Sequence, residues 1–265
     1  MDERVTTDDL ALALELADAA DAISLPRFRA HDFHVSTKPD LTPVTDADRA
    51  VEQMLRTAIA EQRPADSFYG EEFGSSGTAA RRWIVDPIDG TKNFVRGVPV
   101  YATLIALYEG EQPLIGVVSA PALGMRWYAA ADAGAHRQLA AGLGGSGEPE
   151  GIEVSTVSEL ADASLSYSSL TGWADHRDRE RFIALTDAVW RTRAYGDFWS
   201  YMMVAEGTVD AACEPELELY DMAALVPIVT EAGGAFTDLD GQPGPFGANG
   251  LATNGRLHAE VLTYV

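Results

Sequence analysis

Residues 81–94, RRWIVDPIDGTKNF, set two aspartates, Asp86 and Asp89, around Pro87 at the end of an apolar run. Trp83-Ile84-Val85 has the character of a buried strand, and Pro87 fixes the backbone φ directly after it. Two carboxylates held this close repel each other unless a cation lies between them. A chain that turns at Pro87 aims both into one pocket. Gly90 permits close backbone approach, and Thr91 stands where a helix can begin. Free amides at a helix start suit a phosphate, and carboxylates suit hard divalent cations. The same residues also fit an Asx-type turn with Asp89 as a plain helix cap, so this stretch alone leaves both readings open.

Other acids widen the pattern. YGEEFG puts Glu71 and Glu72 after a short strand; one member of an adjacent pair normally faces solvent, so at most one is expected as a ligand. VTDAD places Asp46 at a helix start, and LELYDMAAL places Asp221 at the start of an apolar helix. Taken singly, both fit N-caps. Every candidate ligand is oxygen, and His31, His34, His136, His176 and His258 show no zinc-type pairing with these acids. Hard oxygen donors favour magnesium or manganese. There is no Gly-x-Ser-x-Gly elbow, and Cys213 has no evident base partner, so covalent catalysis is disfavoured.

The rest of the chain frames this pocket. Its 265 residues suffice for one large domain, and 41 acidic against 19 basic residues give a net charge of -22. That balance argues against nucleic-acid and anionic-membrane partners, but not against a small phosphate ester held by cations. A single cysteine excludes an intrachain disulfide and fits a reducing cytoplasm. The acidic N-terminus lacks the basic region of a signal peptide, and no apolar run reaches transmembrane length. A helix is expected from Thr7 with Leu10, Leu14 and Ala17 on one face. A second is expected from Thr45 with Val51, Met54, Leu55, Ala58 and Ile59. HDFHVSTKPDLTPVT between them reads as an extended loop, and residues 98–136 as an antiparallel sheet. Residues 141–151 form a flexible loop without the Lys-Ser/Thr ending of a P-loop. One domain over 1–265 is expected, with a metal and phosphate half at 1–145 and a substrate-selecting half at 146–265. Strand and helix alternate without a regular βαβ period, which points to layered α and β with mixed sheets.

WIVDPIDGTKNF, with GEE before it and YDMAAL…TEAGG far downstream, resembles the inositol monophosphatase superfamily. The likeness runs from KPDLTPVTDAD to GGAFTDLDG, nearly the whole chain. It implies an α+β fold, a layered αβαβα sandwich of the inositol monophosphatase/fructose-bisphosphatase type. It also implies a magnesium-dependent phosphomonoesterase with two or three Mg2+ per site, Mn2+ as a substitute, and a homodimer. By the same resemblance, Glu71, Asp86 and the carbonyl of Ile88 hold a first metal, and Asp86, Asp89 and Asp221 a second. Asp46 with Glu71 places a third metal and the attacking water. Gly90 and Thr91 contact the phosphate, and the Thr91 hydroxyl orients the water. Lys38 falls in the loop that matches the family's mobile metal-site loop. Tyr220 stands where many members carry tryptophan and is expected to serve packing.

The alcohol is read from RAYGDFWSYMMVAEGTVDAACEPELELYD, where Gly196, Asp197 and Glu214, with Asp89, match the alcohol-contacting region. This wording resembles the bacterial histidinol-phosphate phosphatase branch more than the animal inositol enzymes. Histidinol phosphate carries an ammonium and an imidazole, which Asp197 and Glu214 can pair with; a neutral polyol does not call for added negative charge. Asp197 also fits a helix cap, and Glu216, Glu218, Arg191 and Arg193 read as surface positions. The expected activity is hydrolysis of L-histidinol phosphate. The alternatives are an inositol-1-phosphatase or broad phosphomonoesterase of the same fold and, from another class, a non-catalytic member that binds metal or a partner protein.

Overall fold

The computed structural model of the chain describes residues 7–38, 42–141 and 145–265. The acidic start of the chain, part of the proline-punctuated loop (39–41) and the glycine-rich centre of the 141–151 segment lie outside the described residues. In chain order, α1 (Thr7–Ala30) leads into β1 (Val35–Thr37) and β2 (Pro43–Thr45), then α2 (Asp46–Gln62). β1 and β2 pair antiparallel, so a small ribbon stands where an irregular loop was expected. β3 (Ser67–Gly70), β4 (Gly74–Ser76) and β5 (Arg81–Asp89) precede the short α3 (Thr91–Arg96). β6 (Ala102–Glu109), β7 (Gln112–Ala120), β8 (Met125–Ala130) and β9 (Ala135–Leu139) make the expected antiparallel run. β10 (Pro149–Ile152) returns from the 141–151 segment to pair with β9.

The second half gives β11 (Ser164–Ser166), α4 (Thr171–His176), α5 (Arg179–Ala188), β12 (Arg191–Arg193) and α6 (Asp197–Ala205). β13 (Ala211–Glu214), α7 (Leu219–Met222), α8 (Leu225–Glu231), β14 (Ala235–Thr237), β15 (Gly250–Thr253) and α9 (His258–Leu262) complete it. Arg177 and Asp178 separate α4 from α5, with Asp178 capping the second. The apolar helix expected after Tyr220 is likewise split; Pro227 sits in the first turn of α8, where a missing N–H costs nothing.

Strand order is β10-β9-β8-β7-β6-β5-β3-β4 in an eight-stranded sheet and β12-β11-β13-β15-β14 in a five-stranded one. Alternation along the central strands sorts the side chains. Trp83, Val85, Ile105 and Leu107 face α1 and α2, whereas Ile84, Leu104, Ala106 and Tyr108 face α6 and α8. On α1 the buried face is Leu12, Ala13, Leu16, Ala17 and Ala20; Leu10 and Leu14 lie at its edge. The five-stranded sheet adds Ala212, Phe236 and Ala252 to the α6/α8 core and turns Leu165, Cys213 and Leu251 toward Trp173, Phe182 and Val261 on α4, α5 and α9. The layers are therefore α, β, α, β, α, the expected sandwich. Among the described residues no helix is long and apolar enough to cross a membrane.

Candidate active site

β5 does not stop at Asp86; it runs on to Asp89. Asp86 pairs with Leu104 and Asp89 with Ala102, so three steps on β5 match two on β6, and one extra residue is accommodated as a bulge. In a regular strand residues three apart face opposite sides; the extra residue turns Asp86 and Asp89 to the same side. Pro87 lies in the bulge, where no ladder N–H is required, and its carbonyl accepts from Thr103 Oγ1 at 2.9 Å. Gly90 follows with φ 82°, and a Cβ there would stand 2.8 Å from the Val100 carbonyl oxygen. Only glycine fits this turn into α3.

Asp221 completes the cluster from α7. Carboxylate oxygens of Asp86, Asp89 and Asp221 all lie within 4.8 Å of one another. Each is also held: Asp86 Oδ1 accepts from Ile88 N at 3.0 Å, Asp89 Oδ2 from Phe198 N at 2.8 Å, and Asp221 Oδ2 from Glu218 N at 2.7 Å. Burial, joined by repulsion among the neighbouring carboxylates, pushes Asp86 and Asp89 well above the usual carboxylate range. A donor set made only of oxygen, converging and repelling, fits a hard divalent cation, which would reverse that repulsion.

Glu71 and Glu72 lie in the turn after β3, where strand alternation no longer applies, and both side chains turn inward, 15% and 4% exposed. That corrects the expectation that one of them faces solvent. Lys38 Nζ stands 2.6 Å from a carboxylate oxygen of each. Burial pushes the Glu71 carboxyl up despite this lysine.

Asp46 does not join the site. It is half exposed, pairs with Arg27 Nη1 at 3.0 Å and accepts from His34 N at 3.0 Å. An exposed pair of this kind contributes about 1 kcal/mol at most. Asp48, which the sequence reading passed over, is fully buried beneath the site. Thr45 is the N-cap of α2, so Asp48 falls at the third helical position and closes a capping box. Thr91 Oγ1 lies 3.1 Å from Asp48 Oδ1 and 3.0 Å from the Ile88 carbonyl oxygen, and can donate to either.

A cavity of about 570 Å³ joins this cluster to the second half of the chain. Glu71, Asp86, Ile88, Asp89, Gly90, Thr91 and Asp221 line it together with Ser168, Asp197 and Glu214, and Asp197 lies against Gly90. Gly196, at φ 87°, forms the turn before α6 and is not part of the lining. Asp197 adopts φ 47° and accepts from Asn93 Nδ2 at 2.7 Å. Glu214 Oε2 accepts from Ser168, and the Tyr201 hydroxyl lies against the same buried carboxyl. Burial pushes the Glu214 carboxyl up to about 8. Glu216 and Glu218 are exposed at the mouth, and Glu216 pairs with His176. Tyr220 packs beside Tyr69 with ring centroids 6.1 Å apart.

Residues 6–265 match the profile of the inositol monophosphatase family. The chain belongs to that family. Among its members, the histidinol-phosphatase of Mycobacterium tuberculosis is 60% identical over 257 residues and that of Streptomyces coelicolor 58% over 264, each alignment spanning 97% of both chains. Family structures superpose closely. The inositol monophosphatase of Zymomonas mobilis matches with TM-score 0.83 at 33% identity over 97% of both chains. A Thermotoga maritima IMPase matches with TM-score 0.84 at 29% identity over 97% of this chain and 96% of its own.

Proposed function

We propose that the chain hydrolyses L-histidinol phosphate to L-histidinol and inorganic phosphate, using divalent cations held by the acidic cluster. Membership of the family and the converging oxygens of Asp86, Asp89 and Asp221 support the metal-dependent phosphomonoesterase class. Glu71, Asp86 and the Ile88 carbonyl would hold one Mg2+, and Asp86, Asp89 and Asp221 another, with Mn2+ able to replace it. When bound, such cations offset phosphate charge, make a water nucleophilic at neutral pH and stabilise the departing alkoxide.

The chain's own groups supply orientation. Thr91 donates its hydroxyl hydrogen to Asp48 and keeps its oxygen lone pairs for a hydrogen of the attacking water. Asp48 takes the role that the sequence reading assigned to Asp46. Glu71, in the lining of the same cavity, receives the water's proton as the water oxygen bonds to phosphorus and the bond to the alcohol oxygen breaks. Backbone amides at Gly90 and Thr91 face the phosphate oxygens.

The observation that carries the choice of alcohol is the pair of acids, buried Glu214 and half-buried Asp197, that line the same cavity. Two acids beside a ligand favour positive charge, which an ammonium or a protonated imidazole supplies and a neutral polyol lacks. The names of the two relatives near 60% identity support the same substrate. Phosphate release from purified protein with Mg2+ tests it. The expected kcat/KM for histidinol phosphate exceeds that for inositol 1-phosphate by ~100-fold or more, the discrimination a site with unpaired polar groups achieves. Faster release from inositol 1-phosphate overturns the assignment.

A further inference from the structure

Three polar residues, Asp48, Glu52 and Arg56, recur every four positions along α2 and so share one face of that helix. Asp48 reaches Thr91. Glu52 is fully buried and has no part in the chemistry described above. Its two carboxylate oxygens accept from the backbone N–H groups of Glu72, at 2.6 Å, and Phe73, at 2.9 Å. Arg56 Nη2 donates to the Gly74 carbonyl oxygen at 2.6 Å, and the guanidinium carbon lies over the Phe68 ring at 4.5 Å from its centroid. Consecutive turns of α2 thus grip consecutive residues of the turn that carries Glu71. Gly70, one residue before Glu71, is shaped by the same carboxylate: a Cβ there would stand 2.3 Å from Glu52 Oε1. Gly70 pairs with Val85 across the parallel β3/β5 ladder, so this turn lies directly beside Asp86.

We propose that Glu52 is a positioning residue, whose buried carboxylate fixes the backbone after Gly70 and thereby aims Glu71 at the metal end of the cavity. A buried ionised carboxylate is costly unless amides and a cation satisfy it. Glu52 has two amides and Arg56 Nη2 at 3.5 Å, and what that arrangement secures is the direction of a neighbouring side chain. Loss of groups that orient ligands typically weakens metal binding by about 10–100-fold. The inference rests on the reading of Glu71 as a metal ligand.

The test measures Mn2+ affinity by electron paramagnetic resonance and half-saturating Mg2+ in phosphate release, on full-length protein checked for folding by circular dichroism. Glu52→Gln replaces one acceptor by a donor opposite the Glu72 and Phe73 amides; Gly70→Ala keeps the carboxylate and displaces it. Both are expected to weaken Mn2+ binding by about tenfold and raise half-saturating Mg2+ equally, with kcat at saturating Mg2+ within about threefold of the parent. A merely structural role would lower the melting temperature and leave the Mn2+ affinity of the folded protein unchanged, and that result overturns the proposal. If Glu52→Gln does not fold, Gly70→Ala decides alone. Glu71→Gln is the control: if it leaves Mn2+ binding intact, the ligand reading falls and this inference with it. If it weakens binding while the other two variants do not, the positioning inference alone falls.

Discussion

The wall of the cavity built by β5, α2 and α7 engages its acids with backbone amides, whereas the wall built by α6 and β13 engages Glu214 and Asp197 with side chains. On the first wall, Asp86, Asp89 and Asp221 each accept an amide hydrogen bond, and Asp48 is closed into a capping box. On the second, Glu214 accepts from Ser168 and lies against the Tyr201 hydroxyl, and Asp197, at a positive φ after Gly196, accepts from Asn93. A wall fixed by the backbone suits a reaction common to many esters; a wall fixed by side chains suits recognition of one alcohol. The contrast separates how the bond is broken from which ester is chosen.

The largest effect expected is on the first wall. Asp86→Asn removes a charge shared by the whole cluster, and kcat for histidinol phosphate should fall ~1000-fold or more while circular dichroism stays native. Retained turnover would detach the acidic cluster from catalysis and favour a binding protein. Asp48→Asn should lower kcat by ~100-fold, the scale of one orienting or proton-accepting group, with little change in KM. Glu214→Gln should reduce kcat/KM for histidinol phosphate by ~10–100-fold, as loss of a charged hydrogen bond does. It should leave hydrolysis of p-nitrophenyl phosphate near the parent level; equal losses on both esters would erase the distinction between the walls.

A smaller effect follows from protonation. Folding raises the Glu214 carboxyl from 4.5 to about 8, so the stability it lends is complete below 4.5 and is lost as pH rises toward 8. Asp86 and Asp89 are raised as well and act in the same direction. The melting temperature of chelator-treated protein should therefore drop by about 5 °C or more between pH 5 and 8, and Mg2+ should flatten that slope. The smallest effect is expected for Asp46→Ala, within about twofold of parent activity, because its surface pair with Arg27 lies outside the site. A loss as large as that of Asp48→Asn would restore Asp46 to the site.

Much of the first wall was legible because its geometry is local. Asp86, Asp89, Gly90 and Thr91 fall within six residues, and proline and glycine mark the bend. The layers were legible through apolar alternation in β5 and β6. Asp46 and Asp48 in VTDAD both fit a helix start, so residue type alone does not separate them. The deciding signal was available: with Thr45 as cap, Asp48 lies in phase with Val51, Leu55 and Ile59 on the buried face, and Asp46 does not. Glu52 and Arg56 were in the same phase, but an acid within an apolar stripe reads as a surface residue until its amide partners, twenty positions away, are seen. The breaks that separate α4 from α5 and α7 from α8 leave local marks only at Asp178, a cap, and at Pro227, in a first turn.

The bulge in β5 has a consequence for how the gene can drift. In an exposed loop, adding or losing a residue is absorbed by the loop; between Asp86 and Asp89 it would change the bulge itself. A one-residue deletion there would restore an unbroken ladder with β6 and leave both carboxylates on one side, two residues apart, but it would remove the backbone that presents the Pro87 carbonyl to Thr103 and the Ile88 carbonyl to Thr91. Spacing thus matters at this point alongside residue identity, because the extra residue supplies those carbonyls.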